Sequence, residues 1–558
     1  MISPDDRRQN FSMLETASAS RESDGLDGAA FLPSVNLADS LGVAKRHASL
    51  RPDTAARVNL FARGNVGLLV NYAAVGVVHG LLQALVYPFL NVYLNMDDYL
   101  AYSAERWLAL PWLLKFFVAV ASDCLPVRGS RRKAYMLIGW AWCLLFSLVI
   151  AALPAETPYL QDGAVANGDA ASAGGKYVGL FMMVALGYVV ADVAADGMMV
   201  EFVHLQPDAI SRTRIVTTVS SVRFLAQFVV MFFAAFMCSS DSYGGSFAWG
   251  ASVNGMMVLA VLTSAAALGA TWYFLAEDTV VQGVPILDAP RALWGLAKQR
   301  VVLQLVVYAF VTRVCFTYYA STSKAIYEYW APATALTISL FASLHAACTA
   351  GAAMLLQLVP WLQEMSWRRV VSLAVVASVL ITLIIALFTV FNVVRSAALT
   401  LIFEQLAAVL EALAFFVLLF AATEVAEPGL ECASLNLVLA AGNLAAPFAI
   451  SLSQSVGERF DVYDSEYAAD SSHARSQVML CFVVMFIVRL LNLAALPLLP
   501  NHPAAARDAK VLGGKVGRWP VIAVLGVLGF MLFWALLMVF LASFERTACL
   551  TVAGGESC

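Results

Sequence analysis

Between residues 66 and 544 the chain returns repeatedly to apolar runs of about twenty residues, and this property constrains its fold more than any other. Roughly 20 helical residues cross about 30 Å of hydrocarbon, so each run is long enough to span a bilayer. Helices are expected, because a backbone surrounded by lipid must satisfy its own N–H and C=O groups. A barrel strand would alternate polar and apolar residues over about ten positions, and these runs do not. Composition agrees: 61% of the 558 residues are hydrophobic and 13% charged, against roughly half and a quarter in soluble domains. The expected class is an all-α polytopic membrane protein, multi-pass in the plasma membrane or an internal organelle membrane, with the lipid bilayer as its main solvent.

Thirteen runs stand out, at about 66–94, 100–121, 134–154, 177–203, 213–238, 249–275, 301–323, 333–359, 369–393, 397–425, 431–456, 476–499 and 521–544. Residues 1–64 are polar, rich in Ser, Asp and Arg, and lack the apolar core of a signal peptide; they are expected to form a disordered cytosolic tail. Basic residues near span ends stay on the cytosolic side. With the N-terminus inside, one set of loops collects Arg128, Arg131, Arg132, Lys133, Arg212, Arg214, Arg291, Lys298, Arg300, Arg368, Arg369, Arg507, Lys510, Lys515 and Arg518. The other set has Lys176, Arg395, Arg459, Arg475 and Arg546. One missed or invented helix would invert every later loop, so the alternation supports the count.

The basic connection 276–300 divides the first twelve runs into halves, 65–275 and 301–499. Residues 500–520 are then a cytosolic linker, 521–544 an additional transmembrane helix and 545–558 an extracytosolic tail. A weak internal echo pairs LPVRGSRRKAYM (125–136) with VPWLQEMSWRRVVSL (359–373), each placing Pro ahead of paired arginines. Topological anchoring and gating are both open for those pairs. Cys549 and Cys558 are expected to be able to pair in an oxidising compartment, without a functional role.

Charges deep in a span are costly and usually face a bundle interior or a water-filled path. Eight qualify: Asp192 and Asp196 in the fourth span, Glu404 and Glu411 in the tenth, and Lys115, Arg223, Arg313 and Arg489. Asp192 and Asp196 are four apart, on one helical face. Two carboxylates so close resist ionising together, so the pair is expected to bind and release a proton. Glu411 lies about as deep as Asp192 in the equivalent span of the second half and joins them as a coupling candidate. Arg223, Arg313 and Arg489 fall near the midplane, where a guanidinium fork can hold a substrate carboxylate. Thr317, Ser321 and Lys324 extend a polar stripe on the face of Arg313.

His79 and His345 are either proton relays or hydrogen-bond partners of a neighbour. Trp140, Trp249 and Trp519 read as interfacial anchors. Against a binding site stands the alternative that the four acids and four bases neutralise one another as structural pairs between helices. Their similar depths favour a site.

No Walker loop, no Gly-x-Gly-x-x-Gly opening a helix, no Gly-x-Ser-x-Gly and no Cys/His cluster appears, and the nine cysteines are scattered. Neither a metal nor another cofactor, nor a nucleic-acid partner, is expected. With no nucleophile and base at a recognisable spacing, the chain is not expected to be an enzyme. A non-transporting receptor or scaffold is the alternative to a carrier.

The segment PWLLKFFVAVASDCLPVRGSRRKAY (111–135) resembles the Pro-Trp-x-x-Lys, Ser-Asp and Pro-x-x-Gly-x-Arg-Arg-x-x-Tyr run of the folate–biopterin transporter family, a branch of the major facilitator superfamily. DVAADGMMVE (192–201) is similar to its Asp-x-x-x-Asp-x-x-x-x-Glu signature, and PGLECAS (428–434) with Asn443 to its Pro-Gly-x-Glu element and downstream Asn. The resemblance runs across both halves, from about 66 to 499. It implies a major-facilitator-like arrangement of two six-helix halves, here with an extra C-terminal helix. It also implies proton-linked secondary transport of folate, biopterin or a related small organic metabolite by alternating access; members differ in cargo and some carry S-adenosylmethionine.

Lys115, Asp123, Asp192, Asp196 and Glu201 fall on the matching motif positions. Lys115 is thereby a substrate-binding candidate, and Asp123, Arg131, Arg132, Glu201 and Glu431 form a gating or structural motif. Phe116 stands where the family usually has Pro after the Lys, and Ala320 precedes Ser321 where it has a Pro in the seventh span. Both departures fall on cavity-lining spans and bear on cargo rather than fold. With folate as substrate and protons as driving ion, the arginines would hold carboxylates and Tyr318, Tyr319 or Phe224 would stack on the pterin.

Overall fold

The computed structural model describes residues 58–96, 98–161, 164–277, 283–323, 326–460, 464–544 and 547. The expectations for most of the N-terminal tail and for Lys324, Arg546, Cys549 and Cys558 lie outside the described residues.

Among the described residues thirteen helices are long and apolar enough to cross a membrane. The first half holds span 1 (Val66–Tyr93), span 2 (Ala104–Cys124), span 3 (Lys133–Ala152), span 4 (Ala170–His204), span 5 (Ala209–Met237) and span 6 (Val253–Phe274). The second holds span 7 (Arg300–Thr317), span 8 (Ala335–Leu358), span 9 (Trp367–Val390), span 10 (Ala397–Val425), span 11 (Glu431–Gly457) and span 12 (Ser472–Leu498), and span 13 (Arg518–Ala542) follows. Outward faces stay apolar: Leu145, Leu148, Leu380, Ile384 and Phe533 are all exposed, which lipid tolerates and water does not.

Short polar side chains start several spans by accepting from an orphan amide. Asp208 takes Ser211 N (2.9 Å), Thr334 takes Thr337 N (3.2 Å) and Ser471 takes Ala474 N (3.0 Å). Span 2 is interrupted. Pro111 lacks the N–H for a helical bond, and the helix breaks at Leu114 and resumes as Lys115–Cys124.

Span 7 stops at Thr317, with Tyr318 extended (φ −61, ψ 127) and the amide of Tyr319 donating to Ser453 Oγ at 3.2 Å instead of continuing the helix. The expected polar stripe therefore ends there, and Ser321 meets Cys481 of span 12 at 3.8 Å. Tyr318 is buried in the apolar cluster around span 12 and cannot stack on a ligand. Trp140 is corrected as well. It is fully buried, and its Nε1 donates to Asn71 Oδ1 at 2.5 Å while Asn71 Nδ2 donates to Thr271 Oγ1 at 2.8 Å, a polar knot joining spans 1, 3 and 6. A buried indole N–H needs such a partner. Trp249 and Trp519 are exposed.

The connection between the halves carries a helix, Ala289–Ala297, whose Ala289, Ala292 and Leu293 pack on Cys124, Leu430 and Ala433 and so cover the ends of spans 2 and 11. The linker helix Pro503–Leu512 is fastened to the turn between spans 10 and 11: Lys510 Nζ donates to Ala426 O at 2.6 Å, and Arg507 lies 3.4 Å from Glu424. Span 13 packs on spans 2 and 11, with Trp107 Nε1 donating to Ser543 Oγ at 2.8 Å.

Span 3 begins on a cap supplied from afar. Glu277, just past span 6, accepts from the amides of Arg131 (2.7 Å), Arg132 (2.8 Å) and Lys133 (3.0 Å) and from Ser130 Oγ (2.5 Å). Burial opposes its ionisation, but these hydrogen bonds outweigh it and hold the carboxyl below its ordinary value. Glu277→Gln is therefore expected to destabilise the detergent-solubilised protein by about 1 kcal/mol at neutral pH. The sign follows from the depressed value: the contribution is present above the unfolded carboxylate pKa of about 4.3 and is lost as pH falls through the lower folded one. Unfolding midpoints of wild type and variant should thus differ at pH 7 and converge in acid.

Candidate functional site

Span 4 presents Asp192 and Asp196 one turn apart, and span 2 resumes at Lys115 beside them. Lys115 Nζ lies 2.8 Å from Asp192 Oδ2 and 3.0 Å from Asp196 Oδ2. Arg223 Nη1 of span 5 reaches the other oxygen of Asp192 at 2.8 Å, and Tyr72 of span 1 donates its hydroxyl to Asp196 Oδ1 at 3.0 Å. The Trp112 ring lies near both cations, 4.9 Å from Lys115 Nζ and 5.3 Å from Arg223 Cζ. Gly76 lets span 1 lie flush on span 5, since a Cβ there would fall 2.1 Å from the Arg223 carbonyl oxygen.

Two acids and two bases make this cluster neutral. A buried ammonium stands between the two carboxylates, and its attraction to both at this range in low dielectric offsets part of the repulsion expected of the pair. The acids are not equivalent: Asp192 faces two cations, Asp196 one cation and a hydroxyl.

In the second half Arg489 Nη1 donates to Glu411 Oε1 at 2.8 Å. Two turns along span 10, Glu404 accepts from the Tyr327 hydroxyl. Among the described residues neither Glu404 nor Arg313 has an ion-pair partner within 4.0 Å. Mutual neutralisation thus accounts for six of the eight intramembrane charges and leaves these two.

Adjoining cavities lie between the halves and extend into the second one. One of about 410 Å³ is lined by His79, Gln83, Arg223, Phe224, Arg313, His345, Glu411 and Asn443. Another of about 260 Å³ meets Tyr319, Tyr327, Glu404, Glu411 and Arg489, and a third of about 560 Å³ meets His79, Glu105, Trp112 and His345. A small cavity of about 140 Å³ touches Tyr72, Lys115, Asp196 and Arg223. Shared lining residues join them into one polar chamber. His79 Nδ1 lies 2.9 Å from the Tyr188 hydroxyl, to which Trp112 Nε1 also donates at 3.3 Å.

Past the cluster, toward the turns between spans 2 and 3 and between spans 10 and 11, the halves are locked together. Arg132, fully buried, reaches Asp123 (2.6 Å), Glu201 (2.9 Å) and Glu431 (3.2 Å), and its Nη1 donates to Ser122 Oγ at 2.9 Å. Arg131 joins Asp123 (3.2 Å) to Glu431 (3.0 Å), and the amide of Ala433 donates to Asp123 Oδ2 at 2.7 Å. Asp123, Arg131, Arg132 and Glu201 belong to the first half and Glu431 to the second, so charge-assisted bonds cross the interface. Gly197 makes room, since a Cβ there would fall 2.8 Å from Arg132 Cζ. Further out, Arg212 of span 5 pairs with Glu424 of span 10 at 3.0 Å.

The arginines of the echoing turn do different work: Arg368 donates to Leu499 O at 2.6 Å and Pro497 O at 2.9 Å, capping the end of span 12. Sequence reasoning overlooked Tyr72, Trp112, Tyr327 and Glu424. Trp112 and Glu424 carried a signal, the one three residues before Lys115 and the other an acid at a span end facing a basic loop; the two tyrosines carried none.

No protein-family model and no curated protein matches the sequence. Solved structures do match in fold. A proton-dependent oligopeptide transporter superposes with a TM-score of 0.52 at 12% identity, covering 78% of this chain and 98% of that one. The major facilitator superfamily proton:xylose symporter XylE gives 0.51 at 11% identity, over 81% of this chain and 95% of that one. The chain has the major facilitator fold. The human organic anion transporter TETRAN agrees, with a TM-score of 0.50, 14% identity and coverage of 78% and 99%. In a major facilitator bundle the interface between the halves is where a central cavity forms, and the charged chamber lies there.

Removing one member of a buried ion cluster costs more than the pair itself contributes. Asp192→Asn leaves Lys115 and Arg223 sharing one carboxylate and is expected to lower stability by about 3 kcal/mol or more. Asp196→Asn keeps both cations on Asp192 and should cost about 1 kcal/mol. Unfolding midpoints of the two variants in the same detergent check the order.

Proposed function

We propose that the chain is a secondary transporter of a small organic solute, working by alternating access with the proton as driving ion and a folate, biopterin or related metabolite as cargo. The observation that carries this proposal is the neutral cluster of Lys115, Asp192, Asp196 and Arg223 on the wall of the chamber, with the lock on one side of it and the cavities on the other. With the basic loops on the cytosolic side, the lock closes the cytosolic face and the chamber serves the opposite one. The cargo class rests on the motif resemblance around Lys115, Asp123 and Asp192.

The coupling follows from charge counting. Two carboxylates and two bases sum to zero, so a proton on Asp196 leaves the cluster at +1. Asp196 takes it because it has the weaker positive support. Lys115 then belongs to Asp192 alone, and Arg223, which lines both the cluster and the main cavity, is released to pair with a cargo carboxylate. Proton and anionic cargo thus restore neutrality together, which favours moving both or neither. Opening the cytosolic side requires Glu431 to leave Arg131 and Arg132.

Reconstituted in proteoliposomes, the protein should accumulate labelled folate under an inward proton gradient and much less without one; equal uptake in both conditions ends the symport proposal. Asp196→Asn should keep normal abundance and lose the gradient dependence.

A further inference from the structure

Arg313 and Glu404 face the chamber without a counter-charge. Both side chains are exposed to the cavities, Arg313 in the 410 Å³ one and Glu404 in the 260 Å³ one. Glu411 and His345 line both cavities, so the two charges look onto one continuous space. Glu404 and Glu411 are seven residues apart on one helix, two turns or about 10 Å along its axis, and Arg313 shares its cavity wall with Glu411. Between them Glu411 and Arg489 neutralise each other at 2.8 Å. The wall thus offers a lone cation beside Glu411, the neutral Glu411–Arg489 pair, and a lone anion two turns from Glu411, and each lone charge favours an opposite charge from a ligand.

From this juxtaposition we infer that the cargo is an elongated bipolar molecule, with a carboxylate held by Arg313 and, beyond the Glu411–Arg489 pair, an ammonium or amidine-type N–H group held by Glu404, beside which Tyr327 stands. This rests on the transporter proposal above. Length decides against simple amino acids, whose amine and carboxylate share one carbon and stand about 3 Å apart. Charge decides against molecules with a carboxylate at each end, because the far one meets Glu404; folate has both of its carboxylates at one end, where Arg223 and Arg313 share a cavity. Two parallel N–H groups on one edge, as in an aminopyrimidine or a guanidine, suit a carboxylate acceptor in a two-bonded fork. Glu404 is then the residue that separates donor-bearing cargo from plain anions, and Arg313 the one that requires an acid.

Calorimetric titration of the purified full-length chain tests this with four probes: folate, 8-aminooctanoate, octanedioate and glycine. Wild type should bind folate or 8-aminooctanoate at least about tenfold more tightly than octanedioate or glycine, and which of the two it prefers tells an amidine-type from an ammonium donor. Arg313→Gln should weaken the donor-bearing probe at least about tenfold. Glu404→Gln should weaken it equally while leaving octanedioate unchanged or tighter, and Tyr327→Phe should fall between wild type and Glu404→Gln. Wild type binding octanedioate as well as the donor-bearing probes, binding neither of those probes, or Glu404→Gln binding them unchanged overturns the inference. Gradient-driven folate uptake together with any of these outcomes leaves the transport proposal standing, and the expected binding pattern without uptake by the wild type removes transport alone.

Discussion

Lys115 leaves water almost entirely, and two carboxylates from the neighbouring helix keep its ammonium group in place. A charge enclosed within a membrane bundle has no bulk solvent to fall back on, so a fully buried one such as Lys115 requires an opposite charge within hydrogen-bond reach. Four helices are committed by that single requirement. Span 2 breaks just before Lys115, span 4 must present both acids on one face, span 5 must bring Arg223 against Asp192, and span 1 must place Tyr72 against Asp196. The apolar surfaces around this cluster are interchangeable in kind; its geometry is not.

The same chemistry at two depths divides the molecule into a part that holds and a part that receives. In the lock, Arg132 is saturated by three carboxylates and a hydroxyl and completely enclosed, leaving no capacity for a ligand. In the chamber most charges are paired, and those at Glu105, Arg313 and Glu404 face open space. A saturated network suits a contact that must close repeatedly with one geometry, whereas an unsaturated one suits recognition. Asn443, whose side chain donates to the Trp112 carbonyl at 3.2 Å, stands at the border between the two.

Helix number and approximate ends were legible from hydropathy, because lipid enforces the same rule at every span. The eight intramembrane charges were legible too, since their cost makes them rare. Their partners were not: Asp192 and Asp196 looked like a like-charge pair because the cation between them comes from residue 115, a separation in sequence that helix periodicity cannot bridge. The stripe beyond Thr317 failed for a related reason, since a serine on span 11, Ser453, takes the amide that would have continued the helix. Trp140 was misplaced because an indole at the membrane surface and an indole over a buried asparagine look alike in sequence. In each case the deciding contact is tertiary.

Span 13 belongs to neither half yet touches span 2 of one and span 11 of the other, and the linker preceding it is fastened to Glu424 and Ala426 at the edge of the lock. In the alternating-access cycle proposed above, spans 2 and 11 part at that edge, so the appended helix has to shift against one of them. Its contacts with that helix are broken in passing and remade at the end of the stroke. Such an attachment weighs on the barrier more than on either resting state. In the proposed cycle such a contact bears on the rate of turnover rather than on how tightly cargo is held.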